Sequence, residues 1–328
     1  MSAGSISTGR VILAIMARLA GTDTTGKWKL VAALFLLCLL WALDGLGPDL
    51  FPVLRYSQLP AMERQAITYT LLAAVAASYS VAKRAKRPAV RTALAWVGIG
   101  LLLFAAPALL VAAAQGWVSQ LERVAIFSLA PVFAVVLEPH LGNSDLRSSS
   151  ALFAALVAVA GALCIFPLNV PGSPGAVTAL VAVVAAVACA ATGNCLAVRL
   201  ASSQSNPSLA SCAAIAGGSS AFAFAAAGAC TEHAQWHISQ SVTQLVWIAV
   251  IDLPALLLIF WLLRCMSGAR MTTRYILAPL LIVLVGIALE QPAITTRMVL
   301  GTILMAAGAM GLLLAPDDDT NGNHIGII

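Results

Sequence analysis

Apolar residues along this chain fall into blocks of about 20, the length a helix needs to cross a bilayer core. Short stretches carrying Gly, Pro, Asn or charge separate the blocks. The pattern predicts helices over 28–46, 61–82, 92–114, 119–139, 149–167, 175–200, 207–230, 241–264, 271–290 and 294–315. The least obvious division is at Gln115-Gly116-Trp117, because 92–139 is otherwise almost unbroken. One helix of that length would run roughly 70 Å, far beyond the bilayer, so the chain must turn back there. Residues 11–20 (VILAIMARLA) are too short to span, contain Arg18 and lack a clear cleavage site before Gly21. They read as an interfacial or disordered lead rather than a signal peptide.

Composition agrees with the pattern. Charged residues make up 9% of the 328 residues and hydrophobic ones 61%, against roughly 25% charged in a soluble domain. So few charges cannot cover an aqueous surface, and the surroundings must be largely lipid. The net charge of +5 does not point to nucleic acid, because the cations stand at the ends of apolar blocks rather than forming a face. One side collects Arg10, Arg18, Lys27, Lys29, Lys83, Arg84, Lys86, Arg87, Arg91, Arg147, Arg199, Arg264, Arg270 and Arg274, and the other only Arg55, Arg64, Arg123 and Arg297, or 14 against 4. The positive-inside rule then puts both termini in the cytoplasm, and an even number of spans gives the same result. Trp28, Trp117, Trp261 and Tyr275 fall near the expected interfaces, where amphipathic rings settle.

The sequence repeats itself. Pro107-Ala-Leu-Leu returns as Pro254-Ala-Leu-Leu at an offset of 147, Leu129-Ala-Pro131 as Leu277-Ala-Pro279 at 148, and Gly161-Ala162 as Gly308-Ala309 at 147. Each match falls on the corresponding helix of the other half. Five helices per half is odd, so the halves are expected to be inverted in the membrane, an arrangement recurrent in secondary transporters. The expected organisation is a cytoplasmic lead (1–27), a first five-helix repeat (28–167), a second (175–315) and a cytoplasmic tail (316–328), the whole an all-α integral membrane protein.

The stretch 277–313, with Pro279 in mid-helix, Glu290 at the helix end and Gly301 and Gly308 in the last helix, resembles the closing pattern of EamA-type members of the drug/metabolite transporter superfamily. A weaker copy runs over 129–163 with Pro131 and Gly161, where the acid is displaced to Glu138-Pro139. Trp41 is similar to the family's helix 1 tryptophan and Arg64 to its helix 2 arginine, whereas Asp44-Gly45-Leu46-Gly47-Pro48 departs from the usual small polar continuation. The resemblance implies ten helices in two repeats and carriage of small metabolites.

Asp252 is the sharpest candidate for function. It is expected midway along its helix, roughly 18 Å from Arg264, and ionisable groups at such depth face a cavity or a partner. Its repeat partner is Ala105, so symmetry does not require an acid. A site for a substrate amine or a proton and a structural carboxyl both remain open. Asp44, just after Trp41, lies where Gly45, Gly47 and Pro48 either interrupt the first helix or end it near Leu46. Its counterpart is Thr192-Gly193-Asn194. Asp252, Asp44, Trp41, Asn194 and Arg123 form the candidate substrate site. Arg123 near one mouth and Arg270 and Arg274 near the other suit a carboxylate or phosphate. Interfacial anchoring is the simpler reading for Arg270 and Arg274, and Arg123, whose side has few cations, is read as lining a cavity beside Glu122. Pro107, Pro131, Pro254 and Pro279 either hinge the helices or shape the bundle.

No metal or cofactor is expected. His233 and His237 are four apart but have no third ligand. Seven scattered cysteines (Cys38, Cys164, Cys189, Cys195, Cys212, Cys230 and Cys265) lack metal-ligand spacing, and the Asp317–Asp319 run reads as a solvated tail. No G-x-x-x-x-G-K loop occurs, so the chain carries no such ATPase site. The expectation is therefore a secondary transporter, an exporter of a small polar metabolite such as an amino acid, in the cell (inner) membrane and not an enzyme. Its partners would be that small molecule and the lipid bilayer, with a homodimer left open. A receptor or assembly subunit and an integral membrane enzyme are the alternatives.

Overall fold

The computed structural model describes residues 26–51, 59–86, 88–141, 149–168, 172–202, 208–231, 242–290 and 295–315. Among them the chain forms helices α1 (Gly26–Leu50), α2 (Ala61–Ala82), α3 (Val90–Ala113), α4 (Gln120–Leu141), α5 (Ser149–Ile165), α6 (Pro174–Ser202), α7 (Leu209–Thr231), α8 (Val242–Cys265), α9 (Gly268–Glu290) and α10 (Thr296–Leu314). Nine of these described helices are long and apolar enough to cross a membrane. The fifth, with 17 residues, is shorter, about 26 Å at the helical rise. Large apolar side chains point outward, with Phe153 70% and Phe222 78% exposed. An aqueous protein does not present that surface, whereas lipid solvates it. The architecture fits an all-α membrane protein.

Local chemistry explains where the helices stop. Between α3 and α4 the chain reverses through Gly116 at φ 88°, a left-handed conformation that glycine adopts without steric cost. Ser119 then starts α4 with a capping box, its hydroxyl accepting from Glu122 N–H at 3.2 Å while Glu122 accepts from Ser119 N–H at 2.7 Å. Ser267 and Thr295 cap α9 and α10 in the same single-sided way. α1 is different from both sequence readings. It neither breaks at Asp44–Pro48 nor ends near Leu46, but continues to Leu50, and Phe51 N–H still bonds Gly47 C=O at 2.8 Å. Pro48 lies in the final turn, where the bond it cannot donate is the only one lost.

Two helices contain a widened turn. Leu101–Ala105 of α3 and Ile248–Asp252 of α8 are π-helical, 147 residues apart, and a proline follows each two residues later, Pro107 and Pro254. Proline has no N–H and its ring crowds the carbonyl four residues back, so the preceding turn opens. In α3 the neighbouring helix supplies donors: Ser220 Oγ bonds Gly100 C=O at 3.0 Å and Ser219 Oγ bonds Val97 C=O at 3.3 Å. Pro131 stands at the restart of α4 after an interruption at Ser128–Leu129. Pro279 lies inside the continuous part of α9, whose own interruption comes earlier, at Thr273.

The helices pack as α2 with α7, α5 with α10, α1 with α8 and α9, and α6 with α3 and α4. α5 and α10 meet through small residues. A Cβ on Gly161 would fall 2.5 Å from Met305 N, and one on Gly308 2.5 Å from Ala158 N, so these glycines let two backbones touch. An aromatic cluster of Trp96, Phe104, Phe260, Tyr69 and Phe224 fills the space between α2, α3, α7 and α8, with centroids 5.0–6.3 Å apart. The first and last segments, the candidate histidines His233 and His237 and the Asp317–Asp319 run lie outside the described residues.

Candidate functional site

Charged groups are expensive among apolar helices unless they meet one another. Here they meet in one place. Arg64, one turn into α2, directs Nη2 between two carboxylates, bonding Asp44 Oδ1 of α1 and Asp252 Oδ2 of α8, the latter at 2.8 Å. Trp247 Nε1, also on α8, donates to Asp44 Oδ1 at 3.0 Å, and its ring lies 5.6 Å from that of Phe51. Asp252 is the last residue of the α8 π turn and its side chain is 15% exposed. Two carboxylates against one guanidinium leave the cluster one negative charge in excess, available to a proton or a cationic group.

A second polar group lies against Trp41, three residues before Asp44 on α1. Arg274, at the restart of α9, is 1% exposed. Its Nη1 donates to Asn194 Oδ1 at 3.0 Å and to Met271 C=O at 3.4 Å, and its Nη2 to Tyr275 Oη at 3.2 Å. Its Cζ stands 5.2 Å from the Trp41 ring centroid and 4.8 Å from that of Tyr275, within cation–π range. Asn194 is fully buried, and its amide is oriented by donation from Nδ2 to Ala190 C=O at 2.6 Å, which turns Oδ1 toward the guanidinium. Phe127 of α4 closes the aromatic group, 5.5 Å from Tyr275.

Trp41 and Asp44 link the two groups, because residues three apart share a helix face. Of the five candidate substrate residues, Asp252 and Asp44 therefore enter one cluster, and Trp41 and Asn194 the adjoining one. Arg123 joins neither. With Glu122, Trp117 and Ser119 it lines a separate cavity of about 530 Å³ between the α3–α4 turn and the start of α6. Arg274 is not an interfacial anchor, because the first turn of α9, Gly268–Thr272, packs on α4 and α6 and carries the side chain inward. Glu138, 1% exposed, helps hold that turn by accepting from Ala269 N–H at 3.0 Å. Tyr275 is half-buried and meets Trp41 and Phe127 at tilted angles, whereas Trp28 and Trp117 are 71% and 59% exposed. Trp247 was not anticipated at all; an aromatic N–H one helical turn before an intramembrane acid was the available signal.

Asp44 and Arg64 lie in the first half of the chain and Asp252 in the second. At the repeat offsets their counterparts are Thr192 for Asp44, Cys212 for Arg64 and Ala105 for Asp252. Among the described residues no group of three or more His, Cys, Asp or Glu is placed to hold a metal. No protein-family model and no curated protein matches the chain. Solved structures do match it in shape. One, described as "Crystal structure of protein", aligns over 87% of this chain and 98% of its own with a TM-score of 0.68 at 17% identity. At that identity the likeness is one of fold.

Proposed function

We propose that this chain is a secondary transporter that moves a small polar metabolite, such as an amino acid, by alternating access between two inverted five-helix halves. The observation that carries the reading is the Asp44–Arg64–Asp252 cluster, built from three helices drawn from both halves and without charged residues at the positions 147–148 residues away. A framework needs no such charges, whereas a carrier needs a polar site that its own symmetry does not duplicate.

The repeat reading has support beyond sequence matches. The two π turns are 147 residues apart, the serine caps Ser119 and Ser267 are 148 apart, and α2 and α7 begin 148 apart. The packing exchanges halves in the same way, α1–α8 corresponding to α6–α3 and α1–α9 to α6–α4. Ten helices crossing the cell (inner) membrane, with α5 as the shortest span and both termini cytoplasmic, agree with this and with the resemblance to EamA-type transporters. Export is the direction proposed. The excess negative charge of the cluster is the natural seat for a substrate amine or a coupling proton.

Counterflow tests the proposal. Purified protein in liposomes preloaded with unlabelled amino acids and small metabolites should drive transient accumulation of the matching labelled compound, with and without a proton gradient. Empty liposomes should not. Failure of every candidate to exchange, in vesicles shown to contain folded protein, would contradict a carrier and favour the receptor or assembly-subunit reading.

A further inference from the structure

Arg274 has a deficit that the acid cluster does not remedy. A guanidinium carries five N–H donors. Nη1 has two acceptors, Asn194 Oδ1 and Met271 C=O, and Nη2 has one, Tyr275 Oη. Nε is buried with no hydrogen-bond partner. What remains unfilled is Nε–H, on the edge of the plane that Nε shares with Nη2, and Nη2 makes one of its two possible bonds. Among the described residues no carboxylate pairs with Arg274, since Asp44 and Asp252 both bond Arg64. Solvent reaches only 1% of the residue. A buried cation with neither counter-ion nor a full set of acceptors is costly, and a fixed one points to a ligand that supplies both.

We infer that Arg274, oriented by Asn194 and covered by the rings of Trp41 and Tyr275, binds a carboxylate of the transported substrate. This names the substrate class of the carrier proposed above and rests on that reading. The Trp41 and Tyr275 ring centroids lie 5.2 and 4.8 Å from Cζ, and the unpartnered Nε–H leaves a donor for a ligand on the edge of the plane. Two parallel N–H groups match the two oxygens of a carboxylate. A single cation balances a monoanion, whereas a phosphate dianion would keep one buried charge uncompensated. Trp41 precedes Asp44 by three residues, about 4.5 Å along α1. A molecule bearing both a carboxylate and an amine therefore meets a cation beside Trp41 and the negative cluster beginning one helical turn further along α1.

The test uses the full chain purified in detergent and follows its thermal unfolding during titration with sodium acetate, against acetamide and against sodium chloride at equal ionic strength. Acetate is expected to raise Tm saturably above both controls in the wild type and to have no such effect in R274Q. In R274K, which keeps the charge and loses the fork, the apparent acetate affinity should fall about tenfold or more. Equal responses to acetate and acetamide would overturn the inference, as would an undiminished acetate response in R274Q. If R274Q does not fold, an unchanged acetate affinity in R274K overturns it. Counterflow separates this inference from the carrier reading. An Arg274-dependent acetate response without counterflow of any compound leaves the anion site standing and removes the carrier. Carboxylate counterflow at the wild-type rate in R274Q does the reverse.

Discussion

Arg64 is held by carboxylates from two other helices, so three helices depend on one side chain. Its removal would leave Asp44 and Asp252 facing each other among apolar residues. Arg64→Met is therefore expected to cost about 3 kcal/mol and to lower the unfolding temperature in detergent, while the double variant with Asp44→Asn recovers part of the loss. An unchanged unfolding temperature in Arg64→Met would mean that the cluster is solvated well enough to need no cation. At this scale the sequence was informative wherever a polar group stood out against an apolar run, as for Asp252, Asp44 and Asn194. Arg64 stood out through family resemblance. Arg274 was misread because its position near a helix start suggests an interface, and only the packing of the turn Gly268–Thr272 on α4 and α6 takes it inside. Arg123 was grouped with the other candidates from its place near a helix start on the side with few cations, and there it lines a different cavity.

Asp252 faces Arg64 from the end of a π turn, and that turn exists because Pro254 follows it. A π turn carries one more residue than the α-helical ladder accommodates, so it rotates everything before it relative to everything after it. Pro254→Ala permits the turn to tighten, and it should shift Asp252 away from Arg64. The expected result is transport reduced several-fold with little change in unfolding temperature. Pro107→Ala, beside the uncharged Ala105, should be milder in transport. Equal effects of the two substitutions would show that the turns matter for bundle shape and not for aiming the acid. The positions of the prolines and the boundaries of α2 were legible from sequence, whereas the widened turns were not, because hydrophobic periodicity over five residues does not distinguish them from α-helix. The continuity of α1 through Gly45–Pro48 was also hidden: Gly and Pro weaken a helix locally, and the surrounding packing decides whether it persists.

At the scale of the whole molecule, structural features recur at a spacing of 147–148 residues and the charges do not. Helix pairs, caps and π turns recur between the halves, while Asp44, Arg64 and Asp252 have the counterparts Thr192, Cys212 and Ala105, and Arg274 has Ile126 at 148 residues' distance. In the proposed carrier, a symmetric scaffold would give two exchangeable packings and the asymmetric side chains one place for a cargo. Within the two adjoining groups Arg64 and Arg274 balance Asp44 and Asp252, so in the proposed carrier a zwitterion enters without disturbing that balance and an anion does so with a proton. The most direct measurement is counterflow by the wild type and by Asp252→Asn in liposomes containing equal amounts of folded protein. The amide keeps the size and one acceptor of the acid but not its charge, so exchange should fall at least tenfold with the fold retained. Exchange at the wild-type rate in Asp252→Asn would mean that the charge cluster is part of the framework and that the cargo binds elsewhere.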